Sequence, residues 1–266
     1  MVRSFSRLVQ GCMKVLEHKG FFVGVAALFV LQAIWIAVTA AYPLLFDEYY
    51  HVGVIDAYRG ISPFMVQQPP ETAIYGDITR YGSYLYHYLL SFPYRLTGAL
   101  TGDFVSQVIV LRLISIAMVA ASLYFFRRTL LAIGVSRAIT HVALALFTLI
   151  PIVPYLAAHV NYDTLLILGV SVFLYFGVRI VQSQGNLVLN SSGFVITGLL
   201  TSLVKFAFLP ILLASAIFIV ALLFKRRAQV FVGTERHIAG LSVWKRVIIA
   251  MLLLISAGLF IERFGV

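Results

Sequence analysis

The sequence predicts an all-α, polytopic integral membrane protein of about seven transmembrane helices, with two interfacial helices in its first outer loop. Three observations carry that expectation. The 266 residues are 61% hydrophobic and 11% charged, whereas an ordinary soluble domain is about 45–50% apolar and about 25% charged. Mean hydropathy is +0.98. The Lys and Arg residues also fall in alternate connections along the chain. A single cysteine excludes a disulfide scaffold.

A helix needs about 20 apolar residues to cross a hydrocarbon core of about 30 Å. Residues 1–20 read as a cytoplasmic N-terminus and 21–41 as the first span, an uncleaved signal anchor longer than a signal-peptide core. Residues 42–104 form an extracytoplasmic loop, and 105–261 hold the remaining bundle of about six helices. The apolar runs there are Val105–Phe126, Ala138–Ala158, Thr164–Val181, Gly193–Phe224 and Val247–Ile261. Gly193–Phe224 is too long for one span and carries Lys205 and Pro210, so it divides near 205–210. Residues 262–266 emerge on the outer side.

Orientation follows from the basic residues. Fourteen of twenty lie in segments 1–20, 127–137, 179–192 and 225–246, which places those segments and the N-terminus in the cytoplasm. The net charge of +10 is then a sorted pattern suited to anionic lipid and calls for no nucleic acid. The expected location is an inner or plasma membrane with the active face outside. Cys12 falls on the reducing side, and the sequon Asn190-Ser191-Ser192 falls in a cytoplasmic loop.

The outer loop holds six of the ten acidic residues and ten of the fourteen tyrosines. Its first part, Phe46 to Gly60, reads as a short helix with Asp47 as N-cap and Gly60 as stop. Residues 61–81 contain three prolines and read as a lid-like loop. Tyr81, Tyr84, Leu85, Tyr88, Leu89, Phe92 and Leu96 then recur at helical spacing, as in an amphipathic helix lying at the membrane surface.

Candidate chemistry sits at that outer face. Asp47-Glu48 are adjacent carboxylates at a helix start, suited to accepting a proton or holding a divalent cation such as Mg or Mn. A solvated helix cap explains Asp47 as well, but explains Glu48 and His51 less well. His159, Asn161 and Asp163 occupy the turn before the fourth span, where Asp163 also suits an N-cap. Lys205 and Arg112 are ionisable groups near the outer ends of spans, which marks them as functional candidates. Snorkelling of Lys205, or a pairing of Arg112 with Asp103 or Asp163, is the structural alternative. A carboxylate base with cations suits displacement at a sugar carbon that bears a phosphate leaving group.

The order of these features resembles the GT-C superfamily of integral-membrane glycosyltransferases. Phe46-Asp47-Glu48-Tyr49-Tyr50-His51 resembles its acidic motif, and Gly82-Ser83-Tyr84-Leu85-Tyr86-His87-Tyr88-Leu89-Leu90 its second interfacial helix. Asn161-Tyr162-Asp163-Thr164-Leu165-Leu166 is similar to its Asn-x-Asp element, and Gly198-Leu199-Leu200 with Lys205 to its fifth-span segment. The resemblance implies inverting transfer of a hexose or pentose, of the mannosyl- or aminoarabinosyltransferase kind, from a polyprenyl-phosphate donor to an extracytoplasmic lipid, glycan or protein. It implies catalytic roles for Asp47, Glu48 and Asp163, and donor-phosphate binding by Lys205 and Arg112. Family members continue beyond the position of Val266, so the expectation is either an N-terminal portion or a chain lacking the acceptor-recognition half. The alternative class is a non-enzymatic transporter or structural subunit. Transporters show internal repeats and polar groups at the bilayer midplane, whereas this sequence has no evident repeat and its polar groups gather at one face.

Overall fold

A computed structural model describes residues 10–233 apart from 12, 46, 59–73 and 75–83, with side chains to 226. Every regular element among them is helical. They are α1 (Lys19–Thr39), α2 (Glu48–Ala57), α3 (Leu85–Thr101), α4 (Phe104–Ala132), α5 (Arg137–Thr148), α6 (Ile152–Ala157), α7 (Asp163–Val181), α8 (Leu187–Val204) and α9 (Leu209–Gly233). A 3-10 turn, Phe206–Phe208, joins the last two. The chain forms one compact unit to Ile219, and a second from Val220 within which α9 continues.

Five of these helices are long and apolar enough to cross a membrane: α1, α4, α7, α8 and the segment Phe206–Arg226. Leu28, Leu31 and Trp35 of α1, Val188 and Ile196 of α8 and Ile217 of α9 stand exposed. Bare aliphatic surface on helix after helix is what hydrocarbon solvates and water does not. The expected seventh run, Val247–Ile261, and the expected loop residues Gly60 to Tyr81, except Ile74, lie outside the described residues.

Local chemistry sets the boundaries. Asp103 caps α4 by accepting the Val105 and Ser106 amides at 3.3 and 2.8 Å, and Gly102 closes α3 at φ 64°. Asn186 caps α8 from the Val188 and Leu189 amides. Asn190 therefore stands in the first turn of α8, buried, where the sequence suggested a loop. The long run Gly193–Phe224 divides at Lys205, as its lysine and proline predict. The run Ala138–Ala158 does not form the single expected span. It is α5, a turn and the six-residue α6. Pro151 has no amide to donate and its ring clashes with the carbonyl four residues back, so α5 ends at Thr148.

Two cores position the candidate site. Phe29, Ala33, Ile36 and Ala37 of α1 pack with Ile116, Val119 and Leu123 of α4 and with Ala157 and Ala158 after the broken run. Nearer the ends of α1 and α8, Val52 and Ile55 of α2 meet Tyr86, Leu90 and Tyr94 of α3, Leu111 of α4, Val160 and Val204. Fully burying such side chains contributes about 1.5–3 kcal/mol each. The buried face of α3 thus carries Tyr86, His87, Leu90 and Tyr94, while Leu89, Phe92 and Leu96 of the expected stripe face outward.

Candidate active site

The C-terminal ends of α1 and α8 and the N-terminal ends of α4 and α7 meet at one end of the bundle, with α2 across them. At α2, burial recurs at Glu48, His51, Val52 and Ile55, the i, i+3, i+4, i+7 face of a helix. Glu48 is therefore drawn inward and Asp47, next to it in sequence, is left at the rim.

Glu48 is fully buried and meets Arg112, which is 2% exposed. Arg112 donates Nε–H to Glu48 Oε1 at 2.9 Å and Nη2–H to Oε2 at 2.7 Å. Its Nη1 donates to the Ala37 and Ala40 carbonyls, both at 2.9 Å, and Nη2 to the Ala41 carbonyl at 3.3 Å. Those carbonyls are the ones that the end of α1 leaves without partners. Glu48 also accepts the Leu44 amide at 2.6 Å and the Val160 amide at 3.2 Å. Every guanidinium donor and every carboxylate acceptor position is thus occupied. Burial alone would raise the Glu48 carboxyl, but the Arg112 hydrogen bonds and the two backbone amides hold it below the usual carboxylate range.

This clasp bears on four expectations. Arg112 pairs with neither Asp103 nor Asp163, and it has no donor left for a donor phosphate. Glu48 has no oxygen free for catalysis, and the Asp47-Glu48 pair does not converge as metal ligands. Among the described residues no three of His, Cys, Asp and Glu gather as a metal-binding group. Arg112 and Glu48 tie α1, α2, α4 and the backbone at Val160 together.

Asp47 holds the N-cap position of α2, yet its backbone is helical and its side chain caps nothing. About a third of the side chain is exposed. Its Oδ2 accepts from Asn161 Nδ2 at 3.3 Å and lies 3.8 Å from His51 Nε2. Its Oδ1 lies 2.9 Å from His159 Nε2, a close contact without hydrogen-bond alignment. His159 is wholly buried, and burial pushes its pKa down. His51 stacks on His87, with Nδ1 3.0 Å from His87 Nε2. Burial pushes the His51 pKa down to about 4, against the pull of the Asp47 charge. The carboxylate therefore rests against neutral imidazoles.

Asn161 links this carboxylate to the next group, because its Oδ1 accepts the Asp163 amide at 2.8 Å. Asp163 is the first residue of α7 and not its cap. Lys205 Nζ lies 3.2 Å from Asp163 Oδ1 and 4.8 Å from the centre of the Tyr162 ring, with both charged side chains well exposed. Burial opposes the lysine charge, but the Asp163 hydrogen bond and charge and the Tyr162 oxygen outweigh it and raise its pKa. Close approach of α7 and α8 makes the pair reachable: a Cβ on Gly169 would strike the Thr201 side chain. His51 completes the connection, its ring 5.0 Å from that of Tyr162.

The structure therefore brings Asp47, His51, His159, Asn161, Asp163 and Lys205 into one connected group. Two members were not singled out from sequence. Tyr162 lay unremarked between Asn161 and Asp163. His87 is a polar residue on the packed face of α3, a signal hidden by the more conspicuous outer stripe. No protein-family model, curated protein or solved structure matches the chain.

Proposed function

We propose that the chain is a membrane-embedded glycosyltransferase of GT-C type that uses a polyprenyl-phosphate sugar, with this group at the extracytoplasmic surface and α2 and α3 lying in the interface. The observation that carries the reading is the division of labour at Asp47-Glu48. One carboxylate is saturated by an arginine, and the other is left open at the rim of a cluster that also presents an exposed lysine. Asp47 removes the proton from the acceptor hydroxyl as its oxygen attacks the anomeric carbon, inverting it. The bond from that carbon to the phosphate oxygen breaks, and the electron pair leaves on the polyprenyl phosphate. Lys205 receives the phosphate charge, exchanging part of its contact with Asp163 for it. Asn161 holds Asp47 by its hydrogen bond, the buried His159 ring packs against it, and neutral His51 adds no second cation beside the base.

The test uses purified protein in lipid nanodiscs and a panel of polyprenyl-phosphate hexoses and pentoses, with cell-envelope lipids, glycans and proteins as acceptors. Removing a general base costs about 10²–10⁴-fold, so Asp47→Asn is expected to lose at least a hundredfold in transfer. Asp47 is partly exposed, and the variant is expected to keep its thermal stability. Full transfer by Asp47→Asn refutes the base; absence of transfer by the parent protein across the panel refutes the activity.

A further inference from the structure

The opposite end of the bundle carries a different group. A cavity of about 430 Å³ opens between the start of α1, the end of α4, the start of α5 and the end of α7, lined by Lys19, Arg127, Arg128, Arg137 and Arg179 around Tyr175. Among the described residues none of these five cations forms an ion pair with a carboxylate.

The cavity is built and not merely basic. Arg128 and Arg179 both donate to the Tyr175 hydroxyl, at 3.3 and 2.7 Å, so two guanidiniums converge on one phenol oxygen. That oxygen accepts twice and its own proton is left to donate. Arg127 donates Nε–H to His141 Nε2 at 3.0 Å, and His141 Nδ1 reaches the Leu16 carbonyl at 2.6 Å. The imidazole is therefore the neutral tautomer and fixes the guanidinium without neutralising it. Arg179 Nε is buried with no hydrogen-bond partner. Gly185, at φ 69°, gives Arg179 its room, since a Cβ there would collide with the guanidinium.

Gathered like charges repel, and a buried guanidinium N–H without an acceptor is costly. The repulsion is relieved if a multiply charged oxyanion enters, and planar guanidinium forks match phosphate geometry. Apolar surface adjoins the cavity: Tyr124, its ring 6.0 Å from the Arg128 guanidinium, is exposed, as are Ile133 and Leu174, next in sequence to the lining residues Ala132 and Tyr175. An anion seated there has hydrocarbon-compatible surface running away from it. We infer that this cavity is a binding site for a phosphate-bearing anion, filled by the headgroup of an anionic phospholipid whose acyl chains lie along that apolar surface. It is separate from the Asp47 group and does not depend on the proposed activity.

Native mass spectrometry of the full chain, released from phosphatidylcholine nanodiscs doped with cardiolipin, reads this directly. The parent protein is expected to retain cardiolipin. Lys19→Gln with Arg137→Gln removes two exposed cations whose side chains make no hydrogen bond among the described residues, so the fold is spared. Retention should fall roughly 20- to 30-fold, about fivefold per cation. Lys14→Gln, an exposed surface charge outside the cavity, should leave retention unchanged. Arg128→Gln with Arg179→Gln should abolish it. Inorganic phosphate supplies the second arm. If it displaces cardiolipin and raises Tm as effectively in the parent but not in the variants, the site stands and its phosphate comes from solution. Equal retention in Lys19→Gln/Arg137→Gln and the parent, or an equal loss in Lys14→Gln, overturns the site.

Discussion

Replacing Arg112 with Met tests whether the buried guanidinium clasps the fold or serves the donor. The substitution keeps a long unbranched side chain and removes five donors. Left behind are a buried carboxylate with only the Leu44 and Val160 amides, and the Ala37, Ala40 and Ala41 carbonyls without their donor. Removing one partner of a buried pair costs about 3–5 kcal/mol. Protonation sets a ceiling for the carboxylate part. Neutralising a carboxyl of ordinary pKa 4.5 at pH 7.5 costs about 4 kcal/mol, and beyond that Glu48 takes up a proton instead. The expected loss is therefore about 3–5 kcal/mol at pH 7.5, measured by SDS titration in mixed micelles. In the variant the folded carboxyl sits above its unfolded value, so that part of the penalty shrinks as pH falls towards 5. Adding Glu48→Gln should likewise recover part of the loss. A deficit below about 1 kcal/mol, or one independent of pH and of Glu48→Gln, refutes the clasp. A raised KM for the donor at unchanged stability returns Arg112 to the phosphate.

Other outcomes follow from the same geometry. The folded pKa of His51 is depressed from 6.5 to about 4, so its contribution is complete above pH 6.5 and is lost as pH falls through about 4. The full shift amounts to roughly 3 kcal/mol, and a His51→Gln variant should show a flatter Tm profile between pH 6.5 and 4 than the parent. Lys205→Met should raise KM for the phosphate donor about tenfold and leave stability within about 1 kcal/mol, because its ion pair with Asp163 is exposed. The raised pKa of Lys205 keeps its charge constant through neutral pH, so transfer should show no basic limb below pH 9 from this group; such a limb, abolished by Lys205→Arg, would contradict the assignment.

How much was legible in the sequence differs by level. The long apolar helices and the break at Lys205 were readable because hydropathy and a proline act locally. The run Ala138–Ala158 misled for the same reason: hydropathy counted its residues while Pro151 decided its backbone. Asp47, His159, Asp163 and Lys205 were expected on one side, and they do lie together at one end of the bundle. Which groups touch was not legible, because Glu48 and Arg112 are 64 positions apart and no local pattern joins them. The neighbours Asp47 and Glu48 lie about 100° apart around a helix, so one faces inward only once the packed face is known. Glu48 with His51, Val52 and Ile55 contained that information, as an acid riding on an apolar stripe.

The clasp also bears on how the chain is made. An arginine two turns inside a long apolar helix resists insertion by about 2.5–3.5 kcal/mol on translocon scales. Synthesis runs from the N-terminus, so the Glu48 carboxylate and the end carbonyls of α1 leave the ribosome before α4 does. When α4 enters the bilayer, the charge buried two turns inside it already has a complementary seat, and the first helix serves as an in-chain chaperone for the fourth.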